Sequence, residues 1–361
     1  MSKYLSARFA GMKPYVPGEQ PQNREYVKLN TNESPFPPSP RVLDAISRAE
    51  TEKLNLYPDP DTRRANKAIA EYYGITEREV LLGNGSDELL AFCFQAFCDA
   101  DTPACYADIT YGFYKVFARI YGVPSIVVPL DETLTLNASD YCPAGGTVFI
   151  ANPNAPTGKA IRLDEIERIL KANREHVVVV DEAYVDFGAE SAVKLIHRYD
   201  NLVVIQTMSK SRSLAGARIG FAIANEALIG DLASMKFSFN PYSLNRLSHL
   251  AAQEAMEDTD YFTACTKAIQ EVRAYTTKEL EQRGFTVLPS CANFIFARPN
   301  RIGGEAYYQM LKDKGILVRH FKEPRINDYV RISIGAKEQM QKLLQATDEL
   351  WREAISLPTK S

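Results

Sequence analysis

Four consecutive valines, Val177–Val180, run straight into Asp181. Successive side chains of a strand face opposite sides of its sheet, so a strand apolar at every position must be covered on both faces. That is the setting of a central strand in a parallel sheet, with helices packed above and below. Other short apolar runs share this character: Val80–Leu82, Ser125–Val128, Thr147–Ala151, Leu202–Ile205 and Ile219–Ala224. Amphipathic stretches lie between several of them; Leu163, Ile166, Ile169 and Leu170 fall on one helical face. Strand and helix in alternation predict an α/β fold with a mostly parallel central sheet and helices on both faces.

After about Asn240 longer helical segments are followed by the strand-like "FTVLPS", "NFIFAR", "GILVRHF" and "YVRISIG", which predict a smaller α+β domain. The first forty residues carry "PYVPGEQP" and "LNTNESPFPPSP", a proline density that favours an extended arm over a helix. The expected organisation is an N-terminal arm over 1–40 packing with the smaller domain, a large domain over 41–245, and a small C-terminal domain over 246–361.

Charge and composition exclude several function classes. Lys and Arg total 42 against 45 Asp and Glu, a net charge of −3, and no basic run marks a polyanion partner, so nucleic acid is not expected. No apolar run approaches a membrane span, and the N-terminal residues lack the apolar core of a signal peptide. The six cysteines form no CxxC and the four histidines stand apart, so no metal site is expected. The chain is expected to be soluble and cytoplasmic.

In open α/β sheets the ligand crevice lies beyond the carboxyl ends of the strands. The polar residues that follow each apolar run are therefore the candidate site. Val80–Leu82 leads into Gly83-Asn84-Gly85-Ser86-Asp87 and then a helical pattern. Free N–H groups at a helix start hold phosphate, and glycines let it approach closely; a plain N-cap is the other reading. Asp181 ends the valine strand, where an ionised carboxylate needs a cation, or serves as a turn residue. Thr147–Ala151 leads into Asn152-Pro153-Asn154-Ala155-Pro156-Thr157-Gly158, a rigid turn whose amides either bond a ligand or shape only the backbone. Leu202–Ile205 leads to Ser209-Lys210-Ser211, with Arg218 eight residues beyond Lys210. A partly desolvated lysine near another cation is a usable amine nucleophile; a solvated loop is the alternative.

The combination is more informative than any member. Phosphate donors, a carboxylate for a ring nitrogen, donors for a phenolic oxygen and an amine for an aldehyde are together the needs of pyridoxal 5'-phosphate. On "LNTNESPFPP", "YPDP", "GNGSDE", "TYGFY", "NPNAPTG", "DEAYVDF", "SKSRSLAGARIG" and "VRISIG", the chain resembles the fold-type I aminotransferases over nearly its whole length, and within them the class II, histidinol-phosphate branch.

That resemblance implies the following roles. Lys210 is the Schiff-base lysine and proton carrier, Asp181 the partner of the pyridine nitrogen, and Tyr184 a donor to the phenolic oxygen. Tyr111 stacks on the ring and also contacts the substrate. Gly85, Ser86, Asp87 (by its backbone), Ser209 and Arg218 form the phosphate cradle. Tyr57 reaches the other subunit's cofactor, which makes the protein a homodimer. Arg331 forks onto the substrate carboxylate, Arg319 meets the substrate's own phosphate, and Glu33 with its neighbours closes over the substrate. The family's turn carries asparagine where this chain has Ala155, so Asn154 is the expected substitute. Ser211 and Arg212 match no role and are expected to be ordinary loop residues.

The implied reaction transfers an amino group from L-histidinol phosphate to 2-oxoglutarate, two small-molecule partners. An aromatic amino acid aminotransferase and a phosphothreonine-decarboxylase-like enzyme are the alternatives.

Overall fold

A computed structural model describes residues 5–9 and 11–356. Seven strands form the main sheet: β1 (Val80–Asn84), β2 (Ala104–Ala107), β3 (Ser125–Val128), β4 (Thr147–Ala151), β5 (Val178–Asp181), β6 (Leu202–Thr207) and β7 (Ile219–Ala224). Their spatial order is β1-β7-β6-β5-β4-β2-β3, and β7 alone runs antiparallel to its neighbours.

The valine strand behaves as its pattern demands. Val178 and Val180 pack into one apolar layer with Leu202 and Val204, while Val179 joins Val203 and Ile205 in the layer on the opposite face. All three valines are fully buried, and each contributes about 1.5–3 kcal/mol relative to an exposed side chain. The helix Leu163–Ala172 covers the first layer with Ile166, Ile169 and Leu170. On the other face the helix Ser86–Phe97 buries Leu89, Leu90, Phe92, Cys93 and Phe94.

A second core gathers around a four-stranded antiparallel sheet made of Phe285–Val287, Phe294–Pro299, Arg319–His320 and Val330–Ser333. The helices Thr259–Gln282 and Lys337–Ser356 supply Ile269, Leu280, Met340, Leu343 and Trp351 to it. The arm joins this unit: Val27–Lys28 pairs in parallel with Ile316–Leu317, and Leu29 is buried in the same core.

A boundary at residue 246 divides the chain differently from the packing. The helix Arg246–Glu257 buries Ala251, Ala252, Ala255 and Met256 in the core of the seven-stranded sheet, with Ile69 of the helix Arg63–Tyr73. Its small residues fit against that helix, and the chain crosses to the second core only along Thr259–Gln282.

Candidate active site

Strand polarity explains why the candidate residues meet. The parallel strands β5 and β6 end at one edge of the sheet, β1 ends there too, and the antiparallel β7 begins there. Register pairs Asn84 with Ile219, Thr207 with Gly220, and Asp181 with both Ala151 and Ile205. Ser86, Asp87, Asp181, Ser209, Lys210 and Arg218 consequently line one cavity of about 940 Å³. The arm and the smaller unit close its other sides with Tyr15, Thr31, Asn32, Arg319 and Arg331.

At the cradle, backbone comes unusually close to backbone. A Cβ at Gly220 would stand 2.3 Å from the Ser86 nitrogen, and one at Gly85 would stand 2.7 Å from Arg218 Nη2. Gly85 also has φ +80, in the left-handed region. The helix Ser86–Phe97 opens with no side-chain cap, so its first N–H groups remain available to an anion. Ser209 Oγ lies 3.0 Å from Thr207 Oγ1, whose one proton also reaches the Ile219 carbonyl at 3.1 Å, and this contact holds the Ser209 hydroxyl at the cradle. Arg218 adds a guanidinium that is held only loosely, 3.4 Å from Asp87 Oδ2. The Asp87 carboxylate also accepts from Tyr111 Oη at 2.6 Å, fixing the angle of that ring at the cavity wall.

Asp181 is 5% exposed and accepts from Tyr114 Oη at 3.0 Å and from the Ala183 N–H at 3.2 Å. Burial pushes it up to about 6 although both donors pull the other way, so a cation at the site would relieve an unmet charge. Lys210 is set deep among packed atoms but keeps surface open to the cavity. Its Nζ donates to the Thr31 carbonyl at 3.1 Å. Burial and the charges of Arg331 and Arg218 bring it down to about 8, against the pull of Glu33 and Asp87. Tyr184 lies edge-on to Phe294 with its hydroxyl accepting from Asn32 Nδ2 at 3.0 Å, and burial raises its pKa.

The two substrate arginines are cross-strand partners, Arg319 opposite Arg331. Like charges in that position repel, and each is handled differently. Arg319 donates to the Val16 and Pro17 carbonyls at 3.0 and 3.2 Å and so also ties the arm in place. Arg331 donates to the Asn30 carbonyl at 3.1 Å, but its buried Nε has no partner among the described residues. A carboxylate or phosphate fits that orphaned donor.

Three expectations change. Asn154 does not serve the cavity: its amide donates to the Ile109 carbonyl and Thr157 Oγ1 and accepts from Thr110 Oγ1, so it ties the turn to the loop that follows β2. Pro153, Ala155 and Pro156 line the wall instead. Glu33 turns away to Lys28 and Thr31, while its neighbours Asn30, Thr31 and Asn32 line the cavity. Ser211 and Arg212 are buried rather than ordinary loop residues. Ser211 donates to Asp186 at 2.5 Å, and Arg212 lies between the rings of Tyr72 and Phe262. Together they brace the segment that carries Lys210.

Tyr57 lies outside the cavity, 79% exposed and stacked on Tyr242 with ring centroids 4.5 Å apart. Tyr114 and Asn32 escape the sequence reading. Tyr114 stands three residues after Tyr111, in the first turn of the helix Phe113–Tyr121, and Asn32 lies in the quoted "LNTNESPFPP"; those positions are the available signals.

The donor set fits pyridoxal phosphate: anion donors at one end, a carboxylate, a phenol and an amine at the other. Comparison with known proteins agrees. The family model described as "Aminotransferase class I and II" matches residues 24–347. A histidinol-phosphate aminotransferase of Clostridium acetobutylicum is 47% identical over 349 residues, 97% of this chain and 99% of the relative. One from Pseudomonas syringae is 47% identical over 350 residues, 97% of this chain and 100% of the relative. The crystal structure of histidinol-phosphate aminotransferase from Sinorhizobium meliloti in complex with pyridoxal-5'-phosphate superposes with a TM-score of 0.86 at 24% identity, covering 98% of this chain and 99% of that one. By fold, site and sequence, the chain belongs to the class I and II aminotransferases and, within them, to the histidinol-phosphate aminotransferase family.

Proposed function

We propose that the protein transfers the amino group of L-histidinol phosphate to 2-oxoglutarate, giving imidazole-acetol phosphate and L-glutamate, with pyridoxal 5'-phosphate held at Lys210. One juxtaposition carries this reading: a lysine brought down to about 8 and a half-buried arginine whose buried Nε is unpartnered among the described residues face the same cavity. When bound, the cofactor supplies an aldehyde for the incoming amine and an electron-poor ring that takes up charge as the substrate Cα–H bond breaks.

The chain's own residues supply the rest. Ser86, Ser209 and Arg218 hold the phosphate, and the buried Asp181 offers its carboxylate to the ring nitrogen. Tyr184 donates its hydroxyl proton to the phenolic oxygen. Lys210 Nζ, once released, accepts the Cα proton and returns it. Histidinol phosphate lacks an α-carboxylate, so Arg331 must serve two anions, the α-carboxylate of glutamate and the phosphate of the other donor. Arg319 adds a second positive charge for that phosphate. Tyr15, Tyr111 and Phe113, packed together, form an aromatic side to the substrate space.

The reading extends to assembly and place. Leu54, Leu56, Tyr57 and Phe239 are each more than half exposed, an apolar surface that suits burial against a second copy. A homodimer in which Tyr57 meets the neighbouring site predicts sedimentation at twice the chain mass; a monomer at micromolar concentration contradicts it. Six free cysteines accord with the cytoplasm, and no helix among the described residues is long and apolar enough to cross a membrane.

The cofactor assignment is tested by borohydride reduction after incubation with pyridoxal phosphate, followed by peptide mass spectrometry. Only the neutral amine attacks an aldehyde, so attachment is expected to accelerate as pH rises through about 8, with the label on the Lys210 peptide. A label on a different lysine, or none, would remove Lys210 from its role.

A further inference from the structure

Ala155 leaves the wall beside Tyr184 without an amide donor. It is 6% exposed, packs against Ala292, Phe294 and Tyr184, and lines the cavity with a methyl group. The Asn154 amide is spent on the Ile109 carbonyl and on Thr157. On another side of Tyr184, however, stands an amide whose orientation the surrounding bonds determine.

Asn32 is 1% exposed, with φ +54 in the left-handed region. Its backbone N–H donates to Ser333 Oγ at 2.8 Å, and Ser333 Oγ donates in turn to Asn32 Oδ1 at 2.9 Å. The Asn32 carbonyl accepts from Asn293 Nδ2 at 3.0 Å. With Oδ1 committed to a hydroxyl donor, the end facing Tyr184 is the NH2 group, at 3.0 Å from Tyr184 Oη. An amide NH2 only donates. Tyr184 must therefore accept from Asn32, and its own proton is left to point elsewhere.

We propose that Asn32 is a positioning residue that makes Tyr184 an obligate donor to the cofactor's phenolic oxygen, achieving through Tyr184 what an amide at position 155 would do directly. This rests on the pyridoxal phosphate reading of the cavity. The charged and titratable groups that face Tyr184 are Arg331, Asp181 and Tyr15, and burial already keeps its phenol protonated, as a donor must be. Within "LNTNESPFPP", one arm residue thus joins Ser333 of the smaller unit to Tyr184 of the larger and sets the direction of its proton.

The test compares the cofactor-loaded protein with Asn32→Gly, Asn32→Asp, Ala155→Asn and the double variant Asn32→Gly/Ala155→Asn. Glycine tolerates the left-handed backbone, so it removes the amide with little strain. The readout is the pH midpoint of the bound cofactor's visible absorbance, followed together with thermal unfolding of the cofactor-free protein. A donor to the phenolic oxygen favours the form that has lost the proton shared with the Lys210 nitrogen, so losing that donor raises the midpoint. Asn32→Gly is expected to raise it by about 1 pH unit. Asn32→Asp should raise it at least as far, because a carboxylate there accepts the Tyr184 proton. Ala155→Asn should lower the midpoint in the unaltered background and restore it in the double variant.

A merely structural role would lower the unfolding temperature and leave the midpoint in place. If Asn32→Gly does not fold, Asn32→Asp and Ala155→Asn decide by the same shifts. A midpoint unmoved by the Asn32 variants, with cofactor still bound to Lys210, overturns the role of Asn32 alone. An unaltered protein that gains no visible absorbance from pyridoxal phosphate overturns the cofactor reading beneath it.

Discussion

Arg331 is the residue whose surroundings are hardest to explain without a ligand. Burial lowers the pKa of its guanidinium, Arg319 faces it across the strand pair, and its Nε finds no acceptor among the described residues. A half-buried cation in that state is stabilised by an anion. Replacing the planar fork by an ammonium keeps the charge and loses the paired geometry. Arg331→Lys is therefore expected to lower kcat/KM for 2-oxoglutarate by about 10- to 100-fold, the worth of one to two charge-assisted hydrogen bonds. Steady-state kinetics with unchanged kcat/KM would exclude the proposed contact. Residues of this kind are legible in the sequence because each directly follows or interrupts an apolar strand: Asp181 after the valines, Lys210 after Leu202–Ile205, Arg331 within "VRISIG". Asn154 is not, because a turn's backbone path, which decides where its side chain points, is not written in residue spacing. There the Ile109 carbonyl, Thr110 and Thr157 capture the amide.

At the scale of elements, the cradle depends on how closely β1 and β7 approach. The alternation of apolar runs and amphipathic helices is enough to anticipate a largely parallel sheet. It is silent on the reversal of β7, since Ile219–Ala224 reads the same in either direction. That reversal brings Arg218 and Gly220 to the edge where β1 ends. Gly220→Ala forces a Cβ to within 2.3 Å of the Ser86 nitrogen and 2.5 Å of the Gly85 carbonyl carbon, backbone atoms that cannot rotate away. The expected loss of stability is about 1–3 kcal/mol, as for other overpacked sites. Chemical denaturation measures it. Weaker cofactor binding should accompany it, because the Gly85–Ser86 loop must move. Normal stability and normal cofactor affinity together would mean that the close approach is not required. The helix Arg246–Glu257 falls on the other side of the expected domain boundary for a related reason: its amphipathic pattern marks a buried face without saying which core receives it.

At the scale of the molecule, the cavity is shared by three parts of the chain. The sheet edge supplies Asp181 and Lys210, and the smaller unit supplies Arg319 and Arg331. The arm spans both, with Thr31 bonded to Lys210 and the Val16 and Pro17 carbonyls bonded to Arg319. None of the three alone supplies both the cofactor's lysine and the two substrate arginines. Sequence motifs identify members of each part, but the convergence of the arm on Arg319 requires the fold. The central claim is that this shared cavity moves an amino group between two anionic substrates. The most direct measurement is a panel of amino donors, each assayed with the pyridoxal phosphate-loaded protein and 2-oxoglutarate by following glutamate formation. The account predicts that L-histidinol phosphate gives the highest kcat/KM and that no turnover occurs without the oxo acid. A higher kcat/KM for phenylalanine, or carbon dioxide release without an acceptor, would contradict it.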